Sequence, residues 1–371
     1  MYMFKIKAIS KKSKARIGQL KTSHGIVESP FFLPIATQAA VRNLTPEELK
    51  IMRAQIILSN TYHLFLRPGI KVIEKSGDLH KFMNWTGPIL TDSGGYQVFS
   101  LAKARKIKPG GVKFKSEIDG KEFFLTPQKA IKIQQALGSD IMMALDVLVG
   151  YPYTYKEAEG ATRLTLRWAK KCKEEQLKSK RVKQLLFGIV QGGVYKDLRH
   201  WCAEELTRMD FDGYAIGGLT VGEPVQKAFA IIRFLTNYLP INKPRYLMGA
   251  GKPEQIVRAV KYGIDMFDCV LPTRHGRHGD LFIWKTRPAD FFKKRKFYEI
   301  LHITNAKFKD DVRPLDSRCS CYACQNFSRS YLHHLFRTHE PLALRLATIH
   351  NLSFYLDLMK EIKKAIKNGY L

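Results

Sequence analysis

A chain of 371 residues with 45% hydrophobic residues and 26 glycines is long enough to bury a substantial core and too apolar to be disordered. Lys and Arg number 62 against 33 Asp and Glu, a net charge of +29, which favours polyanionic partners, nucleic acid first, and disfavours cationic ones. No apolar run reaches bilayer length and the lysine-punctuated start has no hydrophobic signal region. The expectation is therefore a cytoplasmic protein with no membrane span.

Short apolar runs alternate with helical patterns along the chain. The first run is residues 30–37 (PFFLPIAT). Leu44-Thr45-Pro46-Glu47-Glu48 follows, with a capping threonine, a proline at the first helical position and acids in the first turn. Further runs occupy 55–60 (QIILSN), 87–92 (GPILTD), 140–146 (DIMMALD), 185–191 (LLFGIVQ), 213–219 (GYAIGGL), 245–249 (RYLMG) and 263–268 (GIDMFD). Each is short and apolar, as buried parallel strands are. Segments such as 126–137 and 156–178 read as the amphipathic helices that cross between them. Eight such units predict a closed (β/α)8 TIM-type barrel. An open doubly wound sheet is the competitor, but no Gly-x-Gly-x-x-Gly follows the first strand, and Gly249-Ala250-Gly251-Lys252-Pro253 lacks the first glycine and the hydroxyl residue of a P-loop.

Two pieces depart from the repeat. Residues 112–126 alternate as VKFKSEI, Asp119-Gly120, KEFFLT, which predicts a β-hairpin with a primed turn. After the eighth strand, Leu271 to Gly279 reads as a turn in which arginines, histidines and glycines alternate. A segment rich in cations and aromatics follows. The expected organisation is a barrel over 1–276, a zinc-binding insertion over 277–341 and a closing helix over 342–371.

Cys172, Cys202 and Cys269 are scattered, whereas Cys319, Cys321 and Cys324 fall within six positions, followed by His333, His334, His339 and His350. Three bunched thiols and one imidazole would make the closed tetrahedral set of structural zinc, contributing folding energy to a small segment. Spacing does not choose the histidine.

A barrel gathers its chemistry at the carboxyl ends of its strands. Here those ends carry Asp92, Asp146, Gln191, Gly217-Gly218-Leu219 and Asp268. Carboxylates and an amide around one mouth suit metal binding or work on a glycosidic bond, where one acid attacks and another moves protons.

Several of these stretches carry a specific resemblance. Thr91-Asp92-Ser93-Gly94-Gly95-Tyr96-Gln97-Val98, residues 213–219 with Val221-Gly222-Glu223-Pro224, Tyr246-Leu247-Met248-Gly249, Phe267-Asp268-Cys269-Val270-Leu271-Pro272-Thr273-Arg274 and the Cys-x-Cys-x-x-Cys element resemble those of the tRNA-guanine transglycosylases, the queuine tRNA-ribosyltransferases. The likeness runs in the same order from residue 30 to the last helix. It implies exchange of guanine at the tRNA anticodon wobble position for a 7-deazaguanine by double displacement, with Asp268 as nucleophile and Asp92 as proton shuttle. Implied for the base pocket are Ser93, Gly94, Gly95, Asp146, Gln191, Gly218 and Leu219, with Tyr96 and Met248 sandwiching the purine. Implied RNA contacts are Gly249, Ala250, Gly251, Lys252, Pro253, Glu254, Gln255, Thr273, Arg274, His275, Gly276 and Arg277. The resemblance also selects His350 beside Cys319, Cys321 and Cys324 as the zinc ligands, and implies a homodimer.

One stretch departs from the bacterial pattern Asp-Glu-Cys-Thr-Pro-Tyr-Pro: here Asp146-Val147-Leu148-Val149-Gly150-Tyr151-Pro152 replaces an acid and a thiol beside the base with aliphatic groups. Such a pocket is expected to admit bulky queuine as well as, or instead of, its aminomethyl precursor. The alternative function is a non-catalytic tRNA-binding subunit, which would have no use for both Asp92 and Asp268.

Overall fold

The computed structural model describes residues 3–100, 105–179, 183–219, 222–294 and 296–371; Val221 of the family-like motif lies outside them. The chain opens with an antiparallel sheet that sequence reading does not anticipate, β1 (Phe4–Ile9), β2 (Arg16–Thr22) and β3 (Gly25–Ser29). Its buried Phe4, Leu20 and Val27 join one apolar cluster with Phe31, Ile56, Ile141 and Met266, which begin or precede barrel strands, and with Phe187 inside β12 (Leu185–Val190). The sheet thus plugs the amino-terminal end of the barrel. Two aspartates at that end hold it there. Asp265 accepts from Arg16 Nε at 3.0 Å and Nη2 at 2.6 Å, and Asp140 accepts from the His24 backbone N–H at 3.0 Å.

The barrel follows. The first apolar run forms two pieces, β4 (Phe31–Leu33) and β5 (Ile35–Ala36), divided at Pro34, which has no N–H for a ladder. Next come α1 (Pro46–Ile51), β6 (Ile57–Ser59), α2 (Thr61–Leu66), α3 (Ile70–Lys75), α4 (Leu79–Met83), β7 (Ile89–Thr91) and α5 (Gly95–Ser100). α1 begins as its sequence predicts: Thr45 Oγ1 accepts from Glu48 N, and Glu48 Oε2 accepts from Thr45 N at 2.8 Å.

A three-stranded ribbon intervenes, β8 (Arg105–Lys108), β9 (Gly111–Lys115) and β10 (Glu122–Leu125). β9 and β10 are the expected hairpin, with Lys115 opposite Glu122. The connection is longer than a primed two-residue turn. Ser116 N donates to Lys121 O, Gly120 N donates to Ser116 O, and of the pair Asp119-Gly120 only the glycine has positive φ, at +72°. A primed type I turn needs two such residues, and Asp119, with a Cβ, stays out of that region.

The rest of the barrel runs α6 (Pro127–Leu137), β11 (Ile141–Met143), α7 (Tyr155–Lys178), β12 (Leu185–Val190), α8 (Lys196–Arg208), β13 (Gly213–Ile216), α9 (Val225–Leu235), β14 (Arg245–Leu247), α10 (Pro253–Lys261) and β15 (Met266–Asp268). All ladders in this sheet are parallel and consecutive. β15 pairs with β4 (Asp268 opposite Leu33) while β5 pairs with β6 (Ile35 opposite Leu58). The broken first strand therefore closes the ring, and the expected α/β barrel is the fold.

Beyond β15 the expected turn is a helix, α11 (Leu271–Arg277), with Pro272 in its first turn, where the missing N–H is harmless. β16 (Asp280–Trp284), β17 (Tyr298–His302), α12 (Tyr322–Asn326) and α13 (Arg329–Arg337) precede α14 (Pro341–Lys367). Leu281, Ile283, Ile303, Leu315 and Leu332 make a separate apolar cluster with Leu346 and Ile349 of α14. Asn351 of α14 donates to Pro272 O and Asp280 O and accepts from Phe282 N, binding the long helix to α11 and β16.

Both side chains of the Arg16–Asp265 pair are buried. Replacing Arg16 with Met strands a buried carboxylate, so Arg16→Met is expected to lose about 3–5 kcal/mol in urea unfolding. A loss below about 1 kcal/mol, the scale of an exposed pair, would contradict the plug.

Candidate active site and metal site

Closure of the ring puts the carboxyl ends of eight strands around one mouth. Asp92, one residue past β7, is buried at 8% exposure. Its Oδ1 accepts from Thr61 N at 2.9 Å and Gly94 N at 3.2 Å, and its Oδ2 from the Asn60 amide. Burial pushes this carboxyl up to about 6, against the hydrogen bonds from Asn60 and Thr61 that favour the ionised form. Asp268 ends β15. Its Oδ1 accepts from the Tyr246 hydroxyl at 2.6 Å and from Gly249 N at 2.9 Å, and burial raises it too. Burial and then the charge of Asp268 hold Tyr246 well above the ordinary phenol range, and Asp92 contributes as well. Tyr246 thus remains a donor, and its hydroxyl lies in the field of both acids.

A second constellation adjoins the first. Asp146 accepts from Gln191 Nε2 at 2.7 Å through Oδ2 and from Ser93 Oγ at 3.3 Å through Oδ1, and burial raises its carboxyl. Three glycines make room for these groups. A Cβ at Gly218 would stand 2.4 Å from Gln191 Oε1, one at Gly217 2.8 Å from Gln191 Nε2, and one at Gly95 3.1 Å from Asp146 Oδ1. Gly218 also sits at φ +65°, where a side chain is strained. Leu219 is buried, Met248 is half-buried against the barrel interior, and Tyr96 on α5 is 52% exposed.

The segments with implied RNA contacts divide by exposure. Gly249, Lys252, Glu254 and Arg274 are exposed; Gln255, His275 and Arg277 are half-buried. Ala250, Gly251, Pro253, Thr273 and Gly276 are buried. Gly251 O accepts from the Tyr355 hydroxyl, and a Cβ at Gly276 would meet the Ala347 backbone at 3.1 Å.

Cys319, Cys321, Cys324 and His350 present donor atoms within 4.8 Å of one another. His350 Nδ1 lies 3.2 Å from Cys324 Sγ and 3.7 Å from Cys321 Sγ, while Nε2 faces Phe282 O at 2.8 Å. That carbonyl orients the ring with Nδ1 toward the thiols, as a backbone acceptor behind a metal-binding imidazole does. A soft set of three thiols and one imidazole fits zinc. His333 instead faces Ile303 O.

The family model described as queuine tRNA-ribosyltransferase matches residues 11–371. The chain belongs to that family. Similar curated proteins, each named queuine tRNA-ribosyltransferase, include that of Thermoanaerobacter sp. (strain X514), 52% identical over all of this chain and 96% of its own length. The protein of Caldanaerobacter subterraneus subsp. tengcongensis is 53% identical over 97% of this chain and 92% of its own. That of Macrococcus caseolyticus is 50% identical over 97% and 91%.

In this member of the queuine tRNA-ribosyltransferase family, sequence reading missed several residues around the carboxylates. Asn60 ends the second apolar run as Asp92 ends the third, so its position at a strand tip was a usable signal. Tyr246 lay inside a quoted motif without a role. Arg199, buried on α8 and donating to the carbonyls of Val190, Gly193 and Gly217 beside Gln191 and Gly218, left no signal, since a lone arginine on a helix looks solvated.

The raised Asp92 carboxyl has a consequence for stability. Below the ordinary value of 3.8 it is protonated folded or unfolded; as pH rises toward 6 the unfolded chain ionises first and stability is lost. Asp92→Asn removes that cost, so it is expected to stabilise the fold by up to ~3 kcal/mol at pH 7 and hardly at all near pH 4. Thermal melts at the two pH values check this; equal shifts would contradict it.

Proposed function

We propose that this protein is a tRNA-guanine transglycosylase, a pentosyltransferase that exchanges guanine at the anticodon wobble position for a 7-deazaguanine. Family membership supports the reaction class, and the two raised carboxylates sharing the field of the Tyr246 hydroxyl support the double displacement. Both hydrogen bonds to Asp268 fall on Oδ1, so Oδ2 is the oxygen that attacks. It bonds to C1′ of the ribose as the C1′–N9 bond breaks, and protonated Asp92 gives its proton to the departing guanine. The incoming base then attacks C1′, the ester bond to Asp268 breaks, and the base's N9 proton passes to Asp92. An acid titrating near 6 serves both directions at neutral pH.

Asp146 and Gln191 read the edge of the flipped base, Gly218 and Leu219 offer it backbone groups, and Ser93, Gly94 and Gly95 shape the pocket. Tyr96 and Met248 cover the purine faces. The exposed Lys252 and Arg274, with Gly249 and Glu254 beside them, meet the anticodon arm. Leu148 lies beside Gly218, consistent with a pocket wall that admits queuine. Cys319, Cys321, Cys324 and His350 hold one structural zinc, whose chemistry is to fix the fold of its segment. Ile51 and Tyr322 stand exposed on a groove of about 960 Å³ between α1 and α14, a surface suited to the partner copy of a homodimer. The cytoplasm, where tRNA is modified, is the compartment.

Asp268→Asn decides between this reading and a non-catalytic tRNA-binding subunit. Guanine exchange into tRNA is expected to fall at least a thousandfold while tRNA affinity stays within a few-fold. A parent protein that binds tRNA without exchange would favour the subunit. In the parent assay, queuine and its aminomethyl precursor are offered in parallel, and exclusive use of the precursor would refute the wider pocket.

Metal analysis is expected to find one zinc per chain. Cys324→Ser is expected to lose the zinc and lower the melting temperature. Full thermal stability without metal would remove the structural role.

A further inference from the structure

Arg199, on the inner face of α8, has zero exposure and lies in the field of the Glu223 carboxylate. Its hydrogen bonds go to backbone carbonyls, and among the described residues Nη2 has no hydrogen-bond partner. Nη1 donates to Val190 O at 2.6 Å and to Gly217 O at 2.8 Å, and Nε donates to Gly193 O at 2.7 Å. Two of these carbonyls sit at the tips of adjacent strands and the third in the loop between β12 and α8: Val190 closes β12 immediately before Gln191, Gly193 lies two residues after Gln191, and Gly217 follows β13 immediately before Gly218. One side chain therefore clamps together the two strand tips that carry the base-reading candidates. Burying a cation is costly, and desolvation lowers this one to about 10. A core position would be served more cheaply by an apolar side chain.

The peptide plane converts this clamp into a recognition device. In a trans peptide the carbonyl of one residue and the N–H of the next point in opposite directions. Drawing the Gly217 carbonyl toward Arg199 turns the Gly218 N–H away from the helix layer. A peptide whose oxygen is held by a cation is also polarised, so its N–H becomes a stronger donor. Guanine leaves a ribose with negative charge developing on the purine, and a fixed, polarised donor in a dry site stabilises such charge.

We propose that Arg199 is a positioning residue for the heterocyclic base: acting through the Gly217–Gly218 peptide and the Gln191 loop, it sets the orientation and donor strength of the groups that hold the purine. The inference rests on the transglycosylase reading. It predicts that Arg199 governs the affinity for the base while leaving tRNA binding to other surfaces.

The test is steady-state guanine exchange by the full chain, with KM measured separately for guanine and for tRNA in the parent, Arg199→Lys and Arg199→Gln. The expected result is at least a tenfold rise in the guanine KM of Arg199→Gln, partial recovery in Arg199→Lys, which keeps the charge with fewer donors, and a tRNA KM within about threefold of the parent. Equal losses for both substrates, or an unchanged guanine KM, would overturn the proposal. Should Arg199→Gln not fold, Arg199→Lys carries the test alone; failure of both to fold would also overturn it, making the arginine a scaffold residue. An inactive parent would instead refute the transglycosylase reading, so the two failures are distinguishable.

Discussion

The structure depends on a difference between the two ends of one barrel. Aspartates flank the strands at both ends. At the amino-terminal end Asp265 is neutralised by Arg16, and Asp140 lies within 3.2 Å of ring nitrogens of His24 and His80. These acids serve the fold. At the carboxyl end Asp92, Asp146 and Asp268 are held by amides, a hydroxyl, a phenol and backbone N–H groups, and among the described residues none of them forms an ion pair. Neutral donors compensate burial only in part, so all three carboxyls rise above the ordinary range. Charge left uncompensated by the protein is available to a substrate, whereas an acid locked to a guanidinium is not.

This division explains what could be read from the chain before its structure. Runs such as GPILTD and GIDMFD ended in polar residues, and because strand direction is common to all members of a parallel barrel, those tips had to meet. The order of the strands and the identity of Asp92, Asp146, Gln191 and Asp268 as mouth residues were therefore legible. The amino-terminal sheet was not. FKIKAI alternates as a strand should, yet its role as a plug is fixed by Phe4, Leu20 and Val27 meeting barrel residues far along the chain, which no local pattern records. The helix α11 was hidden for another reason. Gly276 within Leu271–Arg277 opposes a helix locally, and its packing against the α14 backbone overrides that preference.

Arg199 and the long helix show how support reaches the mouth from outside it. Arg199 ties β12 to β13 from α8. From α14, Asn351 bonds to Pro272 O at the start of α11, and Tyr355 bonds to Gly251 O just beyond β14. His350, one position before Asn351, faces the cysteines. The thiol cluster and the segment that follows Asp268 are thus anchored by neighbouring residues of one helix.

The most direct measurement is to quench the parent protein with denaturant during exchange on a guanine-containing anticodon stem-loop, isolate any protein–RNA adduct, and map the linkage by mass spectrometry. The double-displacement account predicts an adduct on the peptide containing Asp268, lost again when free base is added in excess. Active exchange with no adduct under any quench, or an adduct mapped to a residue other than Asp268, would contradict it.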